Sequence, residues 1–266
     1  MRKKLSVVIL TLNSSKKIRK CLESVKWADE IVIIDGGSVD ETLRICREYT
    51  DKIYVRPYAE DFSEERNFGT QVCSGDWILQ LDSDEVVEFD FREKILEILE
   101  KDPPFYAYKF LRKNYFLGHF MKHGGWLHHS LHFFRKGYAY YKGKIHETLI
   151  VKDNKIGILN VGVRHYPFDS IREFIERQNR YTTLQAQRIY DEQGLLPESF
   201  VKYQIKIRTL KLFFKMFFKK KGYREGIYGL VFTGLFCMVH FLKWAKYWEF
   251  FIKNKGIGCE KLSSSC

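Results

Sequence analysis

Four short apolar runs in the first hundred residues are each followed by one helix-length stretch, and this alternation leaves few architectures open. Leu5–Leu10 is apolar and largely β-branched, as a buried parallel strand requires. Asn13-Ser14-Ser15 then starts a helix, with Ile18, Cys21, Leu22 and Val25 at helical spacing. Glu30–Ile34 reads as the next strand and ends at Asp35; Gly36-Gly37-Ser38 turns the chain, and Asp40 opens a helix carrying Thr42–Tyr49. Lys52–Val55 is a third strand, Glu64–Ser74 a helix, and Trp77–Leu81 a fourth strand that ends at Asp82-Ser83-Asp84-Glu85. A helix over Phe91–Glu100 is broken by Pro103-Pro104. Strands joined through single helices predict parallel βαβ units. Ligands bind such sheets beyond the carboxyl ends of the strands. Thr11–Asn13, Asp35–Asp40 and Asp82–Asp84 are therefore expected along one edge.

The rest of the chain reads differently. From Phe105 to Val163 it is rich in aromatic residues, His and Gly, in short strands and loops. Phe168–Tyr190 is a long polar helix, and Gly194–Pro197 a boundary. The expected domains are 1–197 (halves 1–104 and 105–197), a helical appendage over 198–255, and a frayed tail over 256–266. An apolar share of 45% excludes a disordered chain. The six cysteines are scattered without a CxxC, which fits a reduced, cytosolic setting. The opening segment MRKKLSVVILTLN lacks a cleavage site and reads as a strand rather than a signal peptide.

Net charge is +12, and thirteen Lys or Arg against two Glu fall between Val201 and Lys255. So concentrated a basic face implies an anionic partner, lipid or nucleic acid. Ile207, Leu210, Phe213, Phe214, Phe217 and Phe218 share one helical face, beside Arg208, Lys211, Lys215 and Lys219. That pattern suits a helix lying in an anionic membrane surface. Leu212 and Met216 fall off the apolar face. Gly226–Leu242 is uncharged for seventeen residues, short of the roughly 20 needed to span a bilayer. It reads as an interfacial or shallowly embedded helix, with a span and a helix packed on the domain as alternatives. Lys243, Trp244, Lys246, Tyr247 and Trp248 suit a headgroup boundary.

Asp82 and Asp84, one residue apart on a strand-to-loop turn, can both reach one hard divalent cation. Mg²⁺ or Mn²⁺ binds through such oxygens and neutralises a departing diphosphate. Alone, this spacing is common in loops. Its companions make it specific. SVVILTLN, VIIDGGSVDET, the Arg66-Asn67 pair and GDWILQLDSDE occur in this order. Together they resemble the family 2 glycosyltransferases of GT-A fold, and among them the subgroup that adds sugars to the lipopolysaccharide core.

The resemblance implies an α/β GT-A domain and an inverting transfer from a nucleotide-sugar donor, UDP-hexose, to a lipid-linked or core saccharide acceptor. It places Thr11, Leu12 and Asn13 in the nucleotide pocket, Asp35 on the base, uracil, and Asp40 in the same wall. Arg66 and Asn67 would sit near phosphate and ribose, Asp82 and Ser83 by ribose or metal, and Asp84 on the metal. Asp40 as a helix cap and Arg66 as a surface charge are the plainer alternatives.

Inversion needs a general base for the acceptor hydroxyl. Glu147, Glu85 and Asp169 are candidates, and Glu147 in KIHETL is favoured; many family members place an Asp there, which this chain lacks. Trp126, His128 and His146 are the acceptor-side candidates, and Trp126 could equally fill a core, as could Tyr138 and Tyr140. Zinc on the His119, His123, His128, His129 and His132 cluster is disfavoured, with no Cys near and no HExxH. Two other functions compete. A nucleotidyltransferase would need a Gly-rich phosphate loop after Leu10, and none is there. A nucleic-acid binder would use the basic tail, but its continuous Phe face favours lipid. The enzyme is expected in the cytoplasm, peripheral on the inner face of the membrane, with no nucleic-acid partner.

Overall fold

The computed structural model describes residues 2–57, 62–143 and 148–263. The alternating segments form β1 (Leu5–Thr11), α1 (Ile18–Val25), β2 (Glu30–Asp35), α2 (Thr42–Cys46), β3 (Ile53–Val55), α3 (Phe62–Val72), β4 (Trp77–Asp82), β5 (Glu85–Val87) and α4 (Phe89–Lys101). The aromatic region supplies β6 (Ala107–Phe116), β7 (His119–Phe120), β8 (His128–Arg135), β9 (Ala139–Lys142), β10 (Thr148–Val151) and β11 (Ile156–Phe168). Last come α5 (Ile171–Gln193), α6 (Glu198–Tyr203), α7 (Thr209–Phe214) and α8 (Gly226–Ser263). α2 stops at Cys46, three residues before the expected end, and Arg47–Thr50 continue only as hydrogen-bonded turns.

The chain divides into two compact units: Met1–Asn114 with His128–Pro167, and Tyr115–Leu127 with Phe168–Cys266. In the first, the sheet order is β3-β2-β1-β4-β8-β6-β11-β5. β3, β2, β1 and β4 are parallel, and β8 pairs antiparallel with both β4 and β6. The expected parallel half is thus present, with an antiparallel extension drawn from the aromatic region. This is the GT-A arrangement that the resemblance implies, a largely parallel sheet with flanking helices.

Both faces of the parallel half are covered, so its strands are apolar throughout. Leu5, Val7 and Ile9 face one core with Ile18, Leu22, Val25 and the α4 residues Phe91, Ile95 and Ile98. Val8, Val32, Ile34 and Ile78 face the other, with Phe68 and Val72 of α3. Register decides what this builds. Thr11 pairs with Asp35, and Leu10 with Asp82. The three polar clusters therefore leave the sheet level with one another.

The second unit is mainly helical. α5 starts at Ser170, whose Oγ accepts from the Glu173 amide at 3.0 Å. Its buried Phe174 packs with Phe232 and Phe236 of α8, along with Phe116, Trp126 and Phe168. Tyr247 of α8 is fully buried and donates to the Gly194 carbonyl at 2.6 Å. The segment 204–219 is one helical rod with π-helical turns on either side of α7. Leu212 and Met216, off the expected apolar face, are the residues that pack inward. Leu210, Phe214 and Phe218 on that face are more than half exposed.

Candidate functional site

The loops after β1 and β2 are locked to each other before any ligand is considered. Asn13 sits at a left-handed φ of 47°, a conformation Asn tolerates better than most residues. Its amide donates to Ser38 Oγ at 2.8 Å, and its Oδ1 accepts from the Val39 amide at 2.9 Å. Ser14 and Ser15 donate their amides to Thr42 Oγ1 and Asp40 Oδ2. Asp35, fully buried, accepts from the Gly37 and Ser38 amides and from Ser38 Oγ at 2.5–2.9 Å. Asp40 also accepts from the Thr42 amide at 3.0 Å. Burial works against ionisation of Asp40, but these donors prevail and bring it to about 2. Both carboxylates thus shape the loops; for Asp40 this is the cap-like arrangement weighed above. Thr11 Oγ1 is buried with no hydrogen-bond partner among the described residues.

The strand-end carboxylates lie beside this edge. The Ser83 amide donates to the Leu10 carbonyl at 3.2 Å, and Ser83 Oγ to Ser14 Oγ at 2.8 Å. Asp82 accepts from Arg66 at 2.8 Å on one oxygen and from Arg112 at 2.6 Å on the other. Its enclosed position alone would raise its pKa; the two guanidiniums override this and hold it far below the ordinary carboxylate range. Arg66 is buried rather than a surface charge. Glu85 is buried as well. It accepts from the Asp82 amide at 2.9 Å and pairs with Arg112 at 2.6 Å. Burial pushes its pKa up. Asn67 clamps the Tyr141 backbone of β9 at both its carbonyl and its amide, 2.8 Å each. The hydroxyl of Tyr141 reaches His132 Nδ1 at 2.6 Å. Burial drives the His132 imidazole well below its usual pKa, so it stays neutral.

Asp84 faces His165 from β11, Oδ1 to Nε2 at 3.4 Å. β11 is brought there by antiparallel pairing with β5, His165 opposite Glu85. Burial would raise the Asp84 pKa, but the imidazole beside it keeps it low. One ligand atom from each of Asp82, Asp84 and His165 lies within 4.8 Å of the others. Two carboxylates and an imidazole fit Mn²⁺ or Mg²⁺ chemistry, and two ionised oxygens favour these ions over softer ones.

The model of glycosyl transferase family 2 matches residues 6–154. The chain belongs to that family. This glycosyltransferase is 26% identical over 268 residues to an uncharacterized glycosyltransferase, RT0209, of Rickettsia typhi, covering 96% of this chain and 90% of that one. It is 25% identical over 253 residues to the lipopolysaccharide core biosynthesis glycosyltransferase LpsC of Rhizobium meliloti, covering 92% of each. It also resembles the crystal structure of S. aureus TarS 1-349 in complex with UDP-GlcNAc, at 15% identity and a TM-score of 0.47, over 92% of this chain and 89% of that one.

The residues expected on the acceptor side separate. His128 opens β8, opposite Arg112 of β6. Trp126 stacks inside the helical unit against Phe168 and Phe232, the core role weighed as its alternative. His146 and Glu147 lie outside the described residues. Glu85 is unsuited to act as a base, since both oxygens are held internally, and Asp169 is exposed in the helical unit. His119 and His123 both contact the Glu225 carboxylate, at 2.7 and 2.6 Å, and so brace a turn of the second unit. Sequence reasoning missed Arg112 and Asn114 and left His165 without a role. The one local signal was polar residues two apart in an aromatic strand.

Proposed function

We propose that this family 2 enzyme is an inverting hexosyltransferase that takes sugar from UDP-hexose and gives it to a lipid-linked or lipopolysaccharide-core saccharide. The observation that carries this reading is the convergence of Asp82, Asp84 and His165 beside the β1 and β2 loops. The name of LpsC, similar over nearly the full chain, supports the core-saccharide acceptor.

Thr11, Leu12 and Asn13, with the loop organised by Asp35 and Asp40, form the nucleoside wall. Arg66, Asn67, Asp82 and Ser83 hold the ribose and phosphate side. Asp84, with Asp82 and His165, would hold Mg²⁺ or Mn²⁺, which supplies charge neutralisation for the diphosphate. Glu147 takes the proton of the acceptor hydroxyl. The acceptor oxygen then attacks the anomeric carbon from the face opposite the diphosphate; that C–O bond forms as the sugar–phosphate bond breaks. His128 and His146 bind the acceptor. Trp126, committed to a core, has no part in this scheme. The exposed Phe214 and Phe218 face, flanked by lysines, seats the enzyme on the anionic inner face of the cell membrane, where a lipid-linked acceptor is found.

UDP release from a panel of UDP-sugars, with Mn²⁺ and with EDTA, tests the reading. One donor should be turned over, and only with metal. Asp84→Ala should lower that rate by at least about 100-fold, more than loss of an outer-sphere partner, with the thermal transition unchanged. Full activity in Asp84→Ala would sink the mechanism.

A further inference from the structure

The turn that joins the rod at 204–219 to α8 carries Lys219, Lys220, Lys221 and Arg224 within six residues, all of them exposed. None of these four side chains has an ion pair or hydrogen bond among the described residues. The one carboxylate in the turn is engaged elsewhere. Glu225 is buried, with His119 Nε2 on one oxygen at 2.7 Å and His123 Nδ1 on the other at 2.6 Å. The His123 amide also donates to it at 2.7 Å. Along the rod, cations recur about once per helical turn, at Arg208, Lys211 and Lys215. At the turn they are far denser, and the chain around them supplies no compensating anion.

The turn is held in shape. The Gly124 amide donates to the Lys220 carbonyl at 2.8 Å. A Cβ on Gly222 would meet the Met216 carbonyl oxygen at 2.8 Å, and one on Gly229 the Gly222 carbonyl oxygen at 1.9 Å. The turn therefore lies tight against both the rod and α8. Lys221 sits at a left-handed φ of 58°, a backbone that suits glycine and strains a side chain. An aromatic surface runs from the rod into this turn. Phe214 stacks on Phe218 at 5.6 Å, and Phe217 packs edge-on against Phe218 at 5.2 Å and against Tyr223 at 6.4 Å. Phe218, Tyr223 and Ile227 are exposed. Cations interleaved with exposed aromatics match a headgroup layer, with rings at the acyl boundary and cations at the phosphates. A phosphate monoester carries up to two charges and three terminal oxygens, so it can take several lysine and arginine donors at once. A phosphodiester offers one charge.

We propose that the turn at 219–224 is a docking site for phosphate-monoester headgroups in a bilayer and selects them over phosphodiester headgroups. The inference rests on the membrane seating above and goes beyond it, giving the turn a preference that the rod lacks.

The test is sedimentation of the full chain, in EDTA, with phosphatidate vesicles and with phosphatidylglycerol vesicles matched in zeta potential. The wild-type chain should favour phosphatidate by about fivefold, the worth of one further cation–phosphate contact. Lys221→Gly with Arg224→Gln should bring that ratio close to one. The thermal transition should hold or rise, because glycine relieves the left-handed backbone; a lysine kept only for the shape of the turn would leave the ratio unmoved. Lys211→Ser with Lys215→Ser should weaken binding to both vesicles alike and leave the ratio as in wild type. Equal binding of the wild-type chain to both vesicles, a ratio that survives the turn variant, or a ratio lost in the rod variant would overturn the proposal and leave the membrane seating intact. No binding to either vesicle would overturn both.

Discussion

Three carboxylates within four residues end with three different environments. Asp82 lies between two guanidiniums, Asp84 faces an imidazole, and Glu85 is buried against Arg112. Like charges this close would repel if left alone. Arg66 and Arg112 supply the compensation within the folded sheet itself. The same reasoning applies at the far end of the sheet, where Glu30 is buried. It accepts from Ser6 Oγ, Lys52 Nζ and the Ser74 amide. Burial opposes the charged form, but these donors prevail and lower Glu30 from the ordinary 4.5 to about 2. A carboxyl depressed on folding stabilises the native state above its unfolded pKa, and that gain is lost as pH falls through the folded pKa. Glu30→Gln should therefore cost about 1–3 kcal/mol at pH 7. It should also flatten the acid limb of stability between about pH 4.5 and 2. Urea titrations across that range measure both effects; an unchanged limb would show that Glu30 is not the group titrating.

At the scale of elements, the site depends on how closely β6 and β11 approach. A Cβ built on Gly162 of β11 would collide with the Leu111 carbonyl of β6. That glycine lets the strand bearing His165 lie against the strand bearing Arg112 and Asn114. Gly162→Ala should cost on the order of 1–3 kcal/mol, as overpacking does. It should also weaken Mn²⁺ binding, because His165 shifts relative to Asp84; calorimetry of melting and of metal binding reads the two separately. Unchanged values in both would mean that the strands tolerate a wider spacing. α8 raises a different question. Among the described residues, 222–253 is the one helix long and apolar enough to cross a membrane. Yet α8 packs on α5 from Phe236 to Phe250, with Lys246 donating to Asn179, Thr182 and Thr183 at 2.6–2.9 Å. α5 exposes Arg172, Glu176, Arg180, Asp191 and Glu192. Carrying these charges into hydrocarbon would be costly, so the pair is better suited to an interface than to a span.

For the whole molecule, basic charge and exposed apolar area coincide in the helical unit, and this leads to a prediction about location. The full chain should sediment with vesicles containing an anionic lipid and not with neutral ones. At ~1 kcal/mol per basic residue near the surface, replacing both Lys211 and Lys215 with Ser should weaken binding by roughly 30-fold. Alkaline carbonate should strip the protein from the vesicles; retention would mean that α8 spans. The parallel half of the fold and its loaded edge were legible from residues alone. A buried parallel strand must be apolar throughout, and its polar exit must lie at the carboxyl end, so Leu5–Asn13 and Trp77–Asp84 declared themselves. The inward side of the rod at 204–219 was not legible: helical spacing only set Leu212 and Met216 apart from the phenylalanines, and packing within the helical unit turned them inward. The partners of the carboxylates were not readable. Arg112 and His165 reach Asp82 and Asp84 through antiparallel register between strands distant in sequence. Register is a matter of which strands pair and where, a long-range choice made by packing that leaves only a faint alternation in any one strand.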